Sequence, residues 1–183
     1  MSDSGSAASE AANAELAAQV ITLATQAGVR IGVAESLTGG LVASTLVSVP
    51  GASKVFLGGV VAYANSAKAG LLGVPSEVLE RHGAVSAETA EAMARGIRAR
   101  LSTDGGPASV SLLAISTTGV AGPDIQDGQP VGTVFVGLAS SQAVSTQHFH
   151  FSGDRQSIRL QTTAATLRLL GDEIERHLGL NTL

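Results

Sequence analysis

The chain contains no cysteine in its 183 residues, which excludes disulfides, thiolate metal sites and cysteine nucleophiles. It has no tryptophan and only 3% aromatic residues, so a core must be assembled from Val, Leu, Ile and Ala. Charged residues make up 14% against 44% hydrophobic, a balance that supports a sizeable core rather than disorder. The net charge is −4 and no long basic run occurs, which argues against a large nucleic-acid footprint. No apolar run approaches the length of a membrane span. The Ser/Ala/Glu-rich start lacks the charged and apolar regions of a secretory signal. The expectation is a cytoplasmic protein with neither nucleic acid nor membrane as a partner.

What is present divides into alternating elements. Residues 1–10 read as a flexible tail and residues 11–183 as one domain. Glu10 to Gln26 carries Leu16, Val20, Leu23 and Ala27 at helical spacing, with Gly28 placed to end the helix. Arg30 to Glu35 is a short strand, and Thr38 to Val49 a helix closed by Pro50-Gly51. Val55 to Ala64 reads as a largely buried strand, its Gly58-Gly59 pair marking a bulge or a close backbone approach. Asn65 is placed to cap a helix containing Lys68 that stops near Gly73, and Pro75 to His82 forms another. Ser86 caps a helix over Ala87 to Leu101, with acidic residues early and arginines late, matching the helix dipole. Asp104 to Pro107 reads as a loop, Ser109 to Ile115 as a strand, and Ser116 to Pro130 as a long Gly/Pro/Asp loop. A hairpin follows (Gly132 to Ala139, Val144 to Phe151), then a final helix from Gly153-Asp154-Arg155 to about His177. This order predicts a three-layer α/β/α single domain with a mixed, mostly parallel sheet.

The stretch Ala34-Glu35-Ser36-Leu37-Thr38-Gly39-Gly40 joins a strand to a helix through a tight turn. The backbone N–H groups of Thr38, Gly39 and Gly40 would open that helix without intrahelical partners, a setting that favours an anion or developing oxyanion. The plainer reading is that Ser36 and Thr38 only cap the helix. Other chemistries are poorly provided for. His148 and His150 share one strand face, but two ligands do not make a metal site. His82 and His177 sit at helix ends. There is no G-x-S-x-G, Walker A or G-x-G-x-x-G motif.

Serine with lysine remains. The chain has only two lysines, Lys54 and Lys68, against nine arginines, and Lys68 follows the single tyrosine, Tyr63, by five positions. A lysine acts as a general base only when it loses its proton near neutral pH, which desolvation promotes. Ala67, Ala69, Gly70, Leu71 and Leu72 surround Lys68 and suit an apolar pocket. A lone solvated lysine is the alternative. Tyr63 would relay a proton or orient the amine.

Several blocks carry a family resemblance: Ala34 to Gly40, Val49 to Ser53, Phe56 to Asn65 with Lys68, Leu71 to Pro75, His82 to Ser86, Thr118 to Pro123, Pro130 to Val134, and Phe151 to Arg155. In order and over roughly residues 12–178, they resemble the CinA C-terminal domain family. The resemblance implies a nicotinamide-nucleotide amidase that releases ammonia from the carboxamide of nicotinamide mononucleotide in pyridine nucleotide salvage. It implies a metal-independent mechanism with no cofactor, Ser36 as nucleophile, Lys68 as base and Tyr63 as its helper. Thr118, Gly119 and Gly122 would let a loop approach the nucleotide, with Arg155 reaching its phosphate. Arg155 in a helix-start salt bridge, and Thr118 as a strand-end cap, are the plainer alternatives. The expected partners are a small nucleotide and further copies of the chain. Larger family members add a nucleotide-pyrophosphatase-like domain, so this chain reads as the stand-alone form. Leu37 stands where a cysteine is frequent, and residues 124–129 depart from a shorter Gly-rich segment. A catalytically silent nucleotide-binding or competence-associated interaction module is the alternative from another class.

Overall fold

Arg30–Glu35 (β1) is buried along nearly its whole length and pairs on both sides. The computed structural model describes residues 3–102 and 111–179. β1 runs parallel to Phe56–Val61 (β2) on one side and to Leu112–Gly119 (β3) on the other. Thr133–Ala139 (β4) and Val144–His150 (β5) continue the sheet antiparallel, giving the order β2-β1-β3-β4-β5. Among the described residues there are six α-helices: α1 (Asp3–Ala27), α2 (Leu41–Val47), α3 (Asn65–Leu72), α4 (Ser76–His82), α5 (Ala87–Leu101) and α6 (Arg155–His177). The fold is the expected α/β class with a mixed sheet.

Strand alternation decides the two layers. Ile31, Val33, Leu113 and Ile115 turn their bulk to the face covered by α1, α2 and α6, where Val20, Leu167, Leu170 and Ile174 meet them. The opposite face carries small residues, among them Gly32, Ala34, Ala114 and Ser116. That lets α5 lie unusually close. Ser116 Oγ donates to the carbonyl of Ala90 at 2.6 Å, and a Cβ on Gly137 would fall 2.5 Å from the same oxygen. Ser86 and Asp154 cap α5 and α6 by accepting the N–H of Thr89 and Ser157. Caps of this kind contribute about 1 kcal/mol each.

Five elements differ from the sequence reading. The first helix begins at Asp3, within the segment expected as a tail, where Ser9 Oγ donates back to the carbonyl of Gly5. β2 is an edge strand, paired with β1 alone among the described residues, and its residues alternate in exposure rather than being largely buried, because successive side chains point to opposite faces of the sheet. A register shift opposite Ile31/Gly32 provides the expected bulge. β3 runs on through Ser116, Thr117, Thr118 and Gly119, which shortens the loop before β4. Their hydroxyls read as loop polarity, yet each finds a buried partner. Finally, α2 starts at Leu41 and not Thr38, because left-handed Gly39 and Gly40 hold the preceding residues in a turn. The helix with Lys68 is capped from Ala64, one residue earlier than expected. The expected loop at Asp104 to Pro107 and the first residues of the expected strand from Ser109 lie outside the described residues.

Candidate active site

The end of β1 places Ser36. Its N–H donates to the carbonyl of Thr117 at 2.9 Å, extending the parallel pairing by one residue. Beyond it the chain reverses through Gly39 and Gly40 at φ 61° and 94°, a region L side chains rarely adopt. Glu35, 1% exposed, folds its carboxylate under the turn and accepts the N–H groups of Gly40 (2.9 Å), Val42 (3.1 Å) and Ala43 (2.8 Å). From α6, Arg159 donates to the carbonyls of Leu37 (3.2 Å) and Thr38 (2.7 Å). The sequence reading passed over both residues. Their signals were a carboxylate directly before the serine, and an arginine one helical turn beyond Arg155.

These contacts correct the expected anion site. The Gly39 N–H goes to the carbonyl of Ser36 and the Gly40 N–H to Glu35, so two of the three expected donors are spent inside the turn. The Thr38 hydroxyl bonds to that of Thr117 at 2.8 Å. None of Thr38, Gly39 and Gly40 lines the cavity beside Ser36.

Lys68 reaches that cavity from α3, on the helix's buried face with Leu72. It is 1% exposed, and its Nζ lies 3.1 Å from Ser36 Oγ and 3.0 Å from the carbonyl oxygen of Tyr63. Burial lowers its pKa from the ordinary 10.5, and the negative charge of Asp127 opposes that shift. The amine meets the backbone of Tyr63 and not its phenol. The Tyr63 hydroxyl, on a side chain 61% exposed, accepts from Arg155 Nη2 at 2.9 Å.

Ser36, Tyr63, Lys68, Thr118, Gly119, Gly122 and Arg155 line one cavity of about 250 Å³. Several owe their identity to the fold. Thr118 donates its hydroxyl to the carbonyl of Ala84 at 2.6 Å. A Cβ on Gly119 would fall 2.6 Å from the carbonyl oxygen of Thr133, and one on Gly122 2.9 Å from Val131. Arg155 Nη1 donates to the carbonyl of Gly122 at 2.6 Å, bridging the loop to Tyr63; Asp154 instead caps α6. The loop tip turns through Asp127 and Gly128, both at positive φ, between paired Gln126 and Gln129. Asp127 Oδ2 accepts the Ala84 N–H at 2.7 Å, tying the loop to the turn before α5.

The histidines stand apart from this cavity. His148 stacks on Phe135 with ring centroids 4.7 Å apart, and His82 lies 3.4 Å from Glu88. Among the described residues, no three of His, Asp and Glu gather closely enough to hold a metal ion. No helix among them is long and apolar enough to cross a membrane.

The fold recurs in known proteins. The crystal structure of a CinA superfamily protein from Klebsiella pneumoniae superposes with a TM-score of 0.82 at 30% identity, covering 90% of this chain and 98% of that one. The competence/damage inducible protein CihA from Agrobacterium tumefaciens gives 0.79 at 34% identity, covering 93% and 96%. A CinA-like protein of Geotalea daltonii is 45% identical over 148 residues, which are 80% of this chain and 34% of that relative. The chain thus spans about a third of the length of the curated relatives it matches. The model of the CinA C-terminal domain matches residues 13–174, and the chain belongs to that family.

Proposed function

We propose that this protein is a serine amidohydrolase acting on the carboxamide of nicotinamide mononucleotide, giving nicotinate mononucleotide and ammonia. The observation that carries the reaction type is the buried Lys68 amine 3.1 Å from Ser36 Oγ, in surroundings that favour its neutral form. The substrate comes from the family resemblance at Ser36, Tyr63, Lys68 and the Thr118 to Pro123 and Phe151 to Arg155 blocks.

Neutral Lys68 takes the Ser36 hydroxyl proton as Oγ bonds to the carboxamide carbon. The carbonyl π pair moves onto oxygen. As that oxyanion collapses, the C–N bond breaks, and the Lys68 ammonium returns its proton to the departing nitrogen, releasing ammonia. Water then attacks the acyl ester and gives its proton to Lys68, and Ser36 leaves as the hydroxyl. Lys68 thus begins and ends neutral, and no redox partner is required. The carbonyl of Tyr63 fixes the amine's direction throughout. Arg155, at the exposed end of the cavity, carries the positive charge suited to the nucleotide phosphate.

Ammonia release from nicotinamide mononucleotide, with and without a chelator, tests this reading. The expected result is chelator-insensitive turnover that Ser36→Ala and Lys68→Ala each abolish while the fold is retained. Near wild-type turnover by Ser36→Ala would refute the nucleophile. Binding of the nucleotide without turnover would leave a binding module.

A further inference from the structure

The Ser36 turn is gripped from both sides by charge. Glu35 collects three N–H groups on its inner side, and Arg159 collects two carbonyls on the side of α6. A seven-residue helix does not need this to be capped. Its N-cap position is Gly40, which offers no side chain, where Ser, Thr, Asp or Asn would serve from the N-cap itself. The cap comes instead from a carboxylate at the end of the adjacent strand. A buried carboxylate is costly unless hydrogen-bonded, and here both oxygens accept N–H groups.

The consequence lies in the peptide planes. In a trans peptide the C=O and the following N–H point in opposite directions. With the Leu37 carbonyl held by Arg159, the Thr38 N–H is directed away from α6. With the Ser36 carbonyl held by the Gly39 N–H, the Leu37 N–H is directed out of the turn. Among the described residues neither N–H has a partner. Leu37 lines the cavity beside Ser36. Every later donor of the turn up to Ala43 is spent on Ser36, Thr38 or Glu35.

We infer that Glu35 and Arg159 are positioning residues that hold the Ser36 turn, and that the Leu37 N–H, which this turn leaves free beside the cavity, is the oxyanion donor of the site. The inference rests on the serine-nucleophile reading but not on the identity of the amide. Arg159 suits the task because its planar fork takes two carbonyls in fixed geometry, which a lysine ammonium does not reproduce.

The test compares wild type, Arg159→Lys and Arg159→Ala in two assays. One is the rate of Ser36 phosphonylation by a fluorophosphonate. In that reaction Ser36 Oγ bonds to phosphorus, fluoride leaves, Lys68 takes the proton, and the phosphoryl oxygen occupies the oxyanion position. The other is ammonia release from nicotinamide mononucleotide. Loss of the positioned donor should lower labelling and kcat by about 10²-fold in Arg159→Ala, as removal of an oxyanion donor does elsewhere, with KM nearly unchanged. Arg159→Lys should keep most of the stability yet recover little of the rate. Added guanidinium should partly restore labelling of Arg159→Ala. The pH midpoint should stay in place, because Lys68 is untouched. Labelling of either variant at the wild-type rate would overturn the inference. So would a loss that follows thermal stability alone and ignores guanidinium. If wild type labels at Ser36 without releasing ammonia, and the variants label slowly, the substrate reading falls and the clamp stands.

Discussion

Lys68 Nζ lies 3.1 Å from Ser36 Oγ at the end of a side chain that is 1% exposed. Its second partner is a neutral carbonyl, that of Tyr63, and among the described residues no carboxylate forms an ion pair with it. A buried ammonium without a directly bonded counter-charge is destabilising, so the fold favours the neutral amine that a base requires. The charge that does act on it, Asp127, sits in the exposed loop over the cavity.

Replacing that amine separates stability from activity. The folded-state pKa of Lys68 lies below its unfolded value of 10.5. Between the two values the unfolded chain binds more protons, so stability rises with pH across that window and is lowest below the folded pKa. Lys68→Met keeps the stem and removes the charge. The variant should be inactive, with a melting temperature at or above wild type near neutral pH. The difference should be largest at acid pH and close as pH approaches 10.5. Thermal denaturation across pH measures it, and a marked fall in melting temperature would show that the amine's two hydrogen bonds outweigh its desolvation.

Asp127 raises the pKa of Lys68 against the larger effect of burial. Asp127→Asn removes the charge but keeps an oxygen to accept the Ala84 N–H, so the loop should stay tied. The rise of kcat/KM with pH should therefore move to lower pH than in wild type. A pH–rate profile of the two proteins decides it, and a midpoint moving upward would contradict the assignment.

The Tyr63 hydroxyl faces Arg155, and only its carbonyl meets the amine. Tyr63→Phe should leave kcat within about threefold and raise KM for a nucleotide by the 2- to 10-fold that about one hydrogen bond represents. Arg155→Met should raise KM for the nucleotide more than for the nucleoside. Steady-state kinetics with both substrates make the comparison. A fall in kcat of about 10²-fold in Tyr63→Phe would restore the proton relay expected from sequence.

Gly96 on α5 is where α3 ends. A Cβ there would sit 2.0 Å from the carbonyl oxygen of Leu72, four residues beyond Lys68. Gly96→Ala must push α3 outward, at about 1–3 kcal/mol for overpacking. Both melting temperature and kcat should fall, although residue 96 is not part of the cavity lining. An unchanged kcat would show that Lys68 is held by its own hydrogen bonds independently of the helix position.

The helix–strand order was legible because hydrophobic period and Gly/Pro punctuation are local: Ser86 and Asp154 cap the helices they were expected to begin. Strand position in the sheet was not. β2 reads apolar either way, and only the unequal cover of its two faces leaves alternate residues exposed. Thr117 and Thr118 read as loop because a hydroxyl's buried partner, Thr38 or Ala84, is remote in sequence.

The same division runs through the site. The sequence by itself determined which groups were available for chemistry. With no cysteine and few histidines, it left Ser36 beside a Gly-Gly turn and a lysine in an apolar segment. Tertiary structure decided what each of them faces. It brought Lys68 to Ser36 across 32 positions and Arg159 to the same turn across more than 120. It also spent the Gly39 and Gly40 donors internally and turned the Tyr63 phenol towards Arg155. The physical reason is that a hydrogen bond or a desolvated charge depends on direction and burial. Both arise only when distant segments pack together.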